Sequence, residues 1–138
     1  MNAQLQHRRV RSIAGFTLIE LLVVIALVTV LAGIGLASYQ NGIVRTKEAV
    51  LKEDLFRMRD AIDQYYADKG QYPSGLDMLV SDGYLRSIPR DPLTDSDATW
   101  QPIMAEPDPS NPSIQGGISD VKSGSDGTAL DGSRYADW

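Results

Sequence analysis

Carboxylates are the side chains best placed to do chemistry in this sequence, and they occur in two different settings. Glu20 stands alone in the run Gly15-Phe16-Thr17-Leu18-Ile19-Glu20-Leu21-Leu22-Val23-Val24, where a charge is costly if the run enters a membrane. Asp126, Asp131 and Asp137 lie instead in a Ser- and Gly-rich ending. There Asp126-Gly127 and Asp131-Gly132 form turns that expose backbone carbonyls, and hard oxygens of this kind suit a divalent cation. The spacing is not that of an EF-hand, which needs D-x-[DN]-x-[DN]-G and a later glutamate. On composition alone solvated turn acids are favoured over a cation site, and both readings stay open. Asp91, Asp95 and Asp97 form a rival acidic group, ranked lower because Asp91 sits between Pro89 and Pro92 in a connector and shapes its turn.

Other chemistries are excluded by what the chain lacks. It has no cysteine, and its only histidine, His7, precedes the apolar run. A disulfide framework, a thiolate metal site and any Ser-His-Asp, Cys-His or His-metal centre are therefore ruled out within the chain. Carboxylate-only catalysis would need paired acids facing a cleft, whereas these acids cluster in turns. No enzyme is expected.

The elements that position these residues can be read from charge and periodicity. Leu21 to Ala37 is seventeen residues without a charge, Thr29 being the only clearly polar one. With Phe16–Ile19 it reaches the roughly 20 residues a bilayer-spanning helix requires. A cleaved secretory signal is shorter and ends in small residues; here Tyr39, Gln40 and Asn41 follow. The run reads as a retained anchor. Arg8, Arg9 and Arg11, with no acid among residues 1–15, place the N-terminus in the cytoplasm and the remainder outside. From Gly70 to Trp138 four basic side chains face eleven acids. That part should repel nucleic acid.

Beyond the anchor, Val44, Leu51, Leu55, Met58, Ile62 and Tyr65 recur at the spacing of one helix face,. Glu48–Lys52 and Glu53–Arg57 are oriented as favourable i,i+4 pairs. No proline occurs between Phe16 and Tyr72, and Gly70 is a natural C-terminal stop. The pattern predicts a nearly continuous helix from Phe16 to Lys69, roughly 80 Å long at 1.5 Å per residue, with Gly33, Gly35 and Gly42 as its soft points. Its stripe is expected to pack against a small head. In that head, residues 75–80 predict a short helix and 88–92 an extended connector. Thr99–Ala105 and Gly117–Lys122 predict two antiparallel strands, joined by a proline-containing loop over 106–115.

Gly-Phe-Thr-Leu-Ile-Glu before an apolar run and after a basic leader resembles the N-terminal signal of type IV pilins and type II secretion pseudopilins. The stretches LKEDLFRMRDAIDQYYADKGQYP, GYL and IPRDP, with Trp100 following, resemble the major pseudopilin family in particular, as does the ending SGSDGTALDGSRYADW. The resemblance covers most of the chain, more loosely from Ala98 to Ile118. Many pilins carry a proline near the middle of the first helix, and Ala37 stands about where it would be.

The resemblance implies an α+β, pilin-like fold. Residues 1–15 would be a prepilin leader, 16–39 a transmembrane and assembly helix, 40–70 its amphipathic continuation and 71–138 a periplasmic head. A membrane peptidase and N-methyltransferase would cut after Gly15 and methylate Phe16. Glu20 would then pair with the Phe16 amine of a neighbouring copy in a helical filament, so that two groups costly alone in an apolar core compensate and set the register. Cleavage removes three of the thirteen basic side chains and leaves the eighteen acids. The resemblance also implies a calcium ion in the C-terminal loop. Asp126 and Asp137 are the best matches to its ligands, carbonyls of Lys122 or Ser123 would contribute, and the role of Asp131 is left open. Trp138 is expected to pack against the head and close the loop, and calcium would take the place of the disulfide that many type IV pilins carry.

The function implied is a structural subunit of an inner-membrane-anchored pseudopilus, working with other pseudopilins and an inner-membrane assembly platform to drive protein export. Two alternatives stay open on the sequence. One is a type IV pilin or another pilin-like filament subunit for adhesion, motility or DNA uptake. The other is a monomeric membrane-anchored calcium-binding domain.

Overall fold

The computed structural model describes residues 15–112 and 116–138. The basic leader, including Arg8, Arg9 and Arg11, and residues 113–115 of the long loop lie outside the described residues. Helix α1 spans Leu18–Lys69 and α2 spans Leu76–Ser81. Strands β1 (Gln101–Met104) and β2 (Ile118–Lys122) follow, and a 3-10 turn covers Tyr135–Asp137. The architecture is α+β and pilin-like, with a long apolar-led helix and a small antiparallel sheet.

The chain divides into two compact units, one ending at Tyr39 and the other covering Gln40–Trp138. In the first, helix formation follows from an unbroken run of long and β-branched apolar residues with no proline. The most apolar stretch of α1 has a mean hydropathy of 2.7 and none of it is buried, so by length and composition it is able to cross a membrane,. Every described side chain from Gly15 to Tyr39 is exposed. Gly33, Gly35 and Gly42 do not interrupt α1.

In the second unit the helix obeys a different pattern. Leu51, Leu55, Met58, Ile62 and Tyr65, spaced four, three, four and three, are all buried, together with Asp54 and Ala61. They meet Leu79 from α2, Trp100, Ile118 and Val121 from the sheet, and Ala129 and Tyr135 from the C-terminal loop. Val44, expected to open the stripe, is only half-buried; the core begins one heptad later, at Leu51. Gly70 ends the helix as expected, with φ +68° and its amide donating to the Tyr66 carbonyl at 2.8 Å. The left-handed backbone there favours glycine.

The two strands pair antiparallel, Gln101 opposite Lys122 and Ile103 opposite Asp120. A register shift after Ile103 then sets Met104 opposite Ile118. Each is shorter than the sequence reading by one to three residues, because only these positions make the ladder. Trp100 lies just before β1 and is almost fully buried. Its indole N–H donates to the Pro89 carbonyl at 2.8 Å, tying the connector to the sheet. Gly124 sits so close to the Thr99 backbone that a Cβ there would overlap the Thr99 carbonyl. Glycine is needed at that position for packing rather than for a turn.

Two expected helix-surface pairs meet different fates. Arg57 Nε donates to Glu53 Oε1 at 2.9 Å, as the spacing predicts. Glu48 and Lys52 do not pair with each other. Glu48 Oε1 accepts the Leu130 amide at 2.8 Å and the Tyr135 hydroxyl at 3.0 Å, while the Lys52 ammonium lies 4.4 Å from the centre of the Trp138 ring. The physical reason is competition. A surface pair at i,i+4 is worth only a few tenths of a kcal/mol, and the C-terminal loop offers each side chain a partner of its own instead.

Candidate functional site

The N-terminal candidates are set by the start of α1. Gly15, Phe16 and Thr17 are not helical, and the helix begins at Leu18, two residues later than the sequence reading. Thr17 is the reason. Its carbonyl accepts the Leu21 amide at 3.2 Å and its Oγ1 accepts the Glu20 amide at 3.2 Å, which is the bonding of an N-cap residue. Phe16 is 87% exposed, so the Gly15–Phe16 bond and the aromatic side chain after it are both accessible. Glu20 occupies the third helical position. Its carboxylate is exposed and accepts no hydrogen bond among the described residues. An acid in the first turn suits the helix dipole.

The C-terminal candidates are held by a web of side-chain bonds to α1. Arg59 is its centre. Its Nε donates to Asp120 at 2.6 Å, and its Nη2 donates to the Val121 carbonyl at 3.0 Å and to the Trp138 main-chain oxygen at 2.8 Å. One guanidinium thus ties β2 and residue 138 to the helix. Trp138 packs on the core, its ring edge-on to Tyr135 with centroids 5.1 Å apart, and its indole N–H donates to Ser133 Oγ at 2.7 Å. It closes the loop as expected.

The individual calcium candidates do not share one state. Asp131 Oδ1 accepts the amide of Ser133 at 2.9 Å and its hydroxyl at 2.6 Å. These bonds hold its carboxyl below the usual carboxylate range,, and they tie up that oxygen within its own turn. The Ser123 hydroxyl is buried and donates to Asp91 Oδ2 at 2.5 Å, while Asp91 Oδ1 accepts the Leu93 amide at 2.9 Å. Asp91 therefore shapes its turn, as the sequence suggests, and also fastens the connector to the loop after β2. Asp126 and Asp137 are exposed, and their carboxylates make no hydrogen bond or ion pair among the described residues. Lys122 is paired in the sheet. Among the described residues no three acidic, histidine or cysteine side chains converge on one point. Asp126 and Asp137 are hard-oxygen donors of the type a divalent cation takes, but they do not gather with a third such side chain among the described residues.

Sequence reasoning missed Thr17, Glu48 and Arg59. The first was visible as T-x-x-E ahead of an apolar run, a capping-box signature. The partners of the other two are more than sixty residues away in sequence, and no local pattern announces them.

The family model for the prokaryotic N-terminal methylation motif matches residues 10–36. Type II secretion system core protein G of Pseudomonas aeruginosa is 34% identical over 98 residues, covering 59% of this chain and 69% of that protein. This chain belongs to the core protein G family. The corresponding core protein G of Pectobacterium carotovorum is 32% identical over 94 residues, covering 56% of the chain and 60% of the relative. Fimbrial protein EcpC of Eikenella corrodens is 35% identical over 79 residues, but the chain spans only about half of it, 52%. Core protein G relatives are thus matched over more of their length than the fimbrial one. No solved structure matches the chain. The methylation motif includes Gly15, Phe16 and Glu20, all of them exposed at the start of α1.

Proposed function

We propose that this protein is a structural, non-catalytic subunit of a periplasmic pseudopilus. It is anchored by a single pass in the bacterial inner membrane, N-terminus cytoplasmic and head periplasmic. Prepilin peptidase processing after Gly15 precedes polymerisation into a helical filament with other pseudopilins on an inner-membrane platform, and the growth of that filament drives protein export. The observation that carries this reading is the apolar part of α1, none of which is buried, with Glu20 near its start unpartnered among the described residues. Lipid covers such a surface before assembly, and neighbouring copies of the same helix cover it afterwards. A carboxylate in that surface is tolerable only when it is paired, and the Phe16 amine released by cleavage supplies the pair. The alternative, a subunit of an adhesive, motile or DNA-uptake pilus, is weaker because core protein G relatives are matched more completely.

Mass spectrometry of assembled protein is expected to find an N-terminal methylphenylalanine at position 16. Glu20→Ala is expected to insert normally, to leave the melting of the head unchanged and to give at least tenfold fewer filaments. Retention of the leader on assembled protein, or filaments of normal number from Glu20→Ala, would refute the reading.

We further propose that Asp126 and Asp137, with carbonyls of Lys122 and Ser123, hold a calcium ion in the C-terminal loop, Asp131 serving as a turn former. Calcium bound to the folded state alone stabilises it by mass action. The melting temperature of the wild type is expected to rise by a few degrees in calcium over EDTA, and Asp126→Ala and Asp137→Ala to remove that difference. Equal melting of wild type in calcium and EDTA would count against the site.

A further inference from the structure

Thr17 has a local job that the processing motif does not explain. Its carbonyl takes the first intrahelical bond, from Leu21 at 3.2 Å, and its hydroxyl satisfies the Glu20 amide at 3.2 Å. Those two bonds fix where α1 starts, and they leave Gly15 and Phe16 outside it. We propose that Thr17 is a positioning residue for leader removal. As N-cap it stops the helix just after the scissile bond and keeps Gly15–Phe16 in the non-helical form that a peptidase can engage. The inference rests on the proposed processing after Gly15 and adds a residue and a mechanism to it.

The physical argument concerns what the helix would do without the cap. An N-cap hydroxyl satisfies one of the orphan amides of the first turn. When it is removed, the helix either frays or moves its start to another residue able to cap. Reading back from Thr17, the next such residues are Gly15 and Ser12. A start at Ser12 would carry Gly15 and Phe16 into the first turn, and a start at Gly15 would make Phe16 the first helical residue. In either case the amide and carbonyl groups flanking the bond become part of helix geometry, whereas cleavage sites lie in exposed chain free of such commitments. The reaction itself is hydrolysis. Water adds across the Gly15–Phe16 peptide bond, leaving a carboxylate on Gly15 and an ammonium group on Phe16. Thr17 touches neither reacting atom and acts only through the conformation before them.

Gly15 is suited to the same task. A Cβ built on it meets nothing within 4 Å, so glycine there is not required by packing within the described residues. Its value lies in a backbone that resists being drawn into a helix.

The test uses full-length protein in membranes with the prepilin peptidase present, following the rate of leader loss and the N-terminal mass. Thr17→Val keeps the shape of the side chain and removes the acceptor; Thr17→Ser keeps the acceptor. Thr17→Val is expected to be cut about fivefold more slowly, on the scale of a typical lost N-cap, with Thr17→Ser restored to within twofold of wild type. In micelles, the Glu20 amide is expected to exchange severalfold more slowly in Thr17→Val than in wild type, because a helix begun at Gly15 or Ser12 gives it the Phe16 carbonyl as an intrahelical partner. Cleavage of Thr17→Val at the wild-type rate overturns the proposal. Equal slowing of Thr17→Ser and Thr17→Val overturns it too, because the peptidase would then be reading threonine itself. If wild type is not cut between Gly15 and Phe16 at all, the processing reading fails. The positioning role falls with it, and the Glu20 exchange rates then report only whether the cap exists.

Discussion

The two units of this chain show the same helix under two different rules. From Phe16 to Tyr39 every side chain is exposed and apolar residues run all the way round. From Gln40 onward the apolar residues form one stripe, charges fill the gaps, and Leu51, Leu55, Met58, Ile62 and Tyr65 are buried. The first pattern finds no packing partner among the described residues. The second has its partners inside, in α2, the sheet and the C-terminal loop. Substitutions in the two units should therefore register in different measurements.

The largest contrast is expected from shortening a large apolar side chain in each. Ile62→Ala opens a cavity among fully buried groups and should cost about 2–5 kcal/mol of head stability. At about 4–8 °C per kcal/mol for a domain of this size, thermal melting should show the loss plainly. Leu22→Ala, in an exposed position, should leave the head's melting within a degree of wild type. Comparable losses from both would break the distinction between the units.

Arg59 sharpens the comparison within the head. Arg59→Met keeps much of the stem and removes donors to Asp120, Val121 and Trp138. Charge-assisted bonds of this kind are worth more than neutral ones, but both ends of the Asp120 pair are more than a third exposed, so water screens it. The expected cost is about 2 kcal/mol by thermal melting. Faster exchange at the amides of 129–138 than at those of 51–65 should show that the C-terminal loop loosens first.

These cases also show how much the sequence could tell. The buried stripe, the stop at Gly70, the short helix and the two strands follow from periodicity and turn chemistry, both of which act over a few residues. The motif around Gly15 and Glu20 is equally local. What stayed hidden is the choice among competing partners. Glu48 and Lys52 look like a surface pair until the C-terminal loop arrives and takes both. Asp91 looks like a turn former, and only the fold brings Ser123 to it. Phe56, three residues from Glu53 and Arg59, is 67% exposed although its type suits a core; its position falls off the stripe. Side-chain type alone does not choose a face, and long-range partners are settled only when the elements meet.

The smallest effect belongs to a contact at the far end of the helix, and it is best read by pH. The Tyr84 hydroxyl donates to Asp68 Oδ2 at 2.8 Å, and the ring packs edge-on to Tyr65 with centroids 5.4 Å apart. The hydrogen bond to the Asp68 carboxylate, with partial desolvation and the nearby charges of Asp68 and Asp82, pushes the Tyr84 hydroxyl from 10.0 up to about 12,. A folded-state pKa raised above the unfolded one means that folding favours the protonated phenol. The contribution is therefore complete below pH 10 and is lost as pH rises toward about 12,. Tyr84→Phe cannot ionise and has no such contribution to lose. Its melting temperature should lie slightly below wild type at neutral pH, and the gap should close between pH 10 and about 12. Because the hydroxyl is at the surface, the neutral-pH difference should be smaller than the losses from Ile62→Ala and Arg59→Met. A gap that stays constant through the alkaline range would mean that Tyr84 stabilises the head by its ring alone.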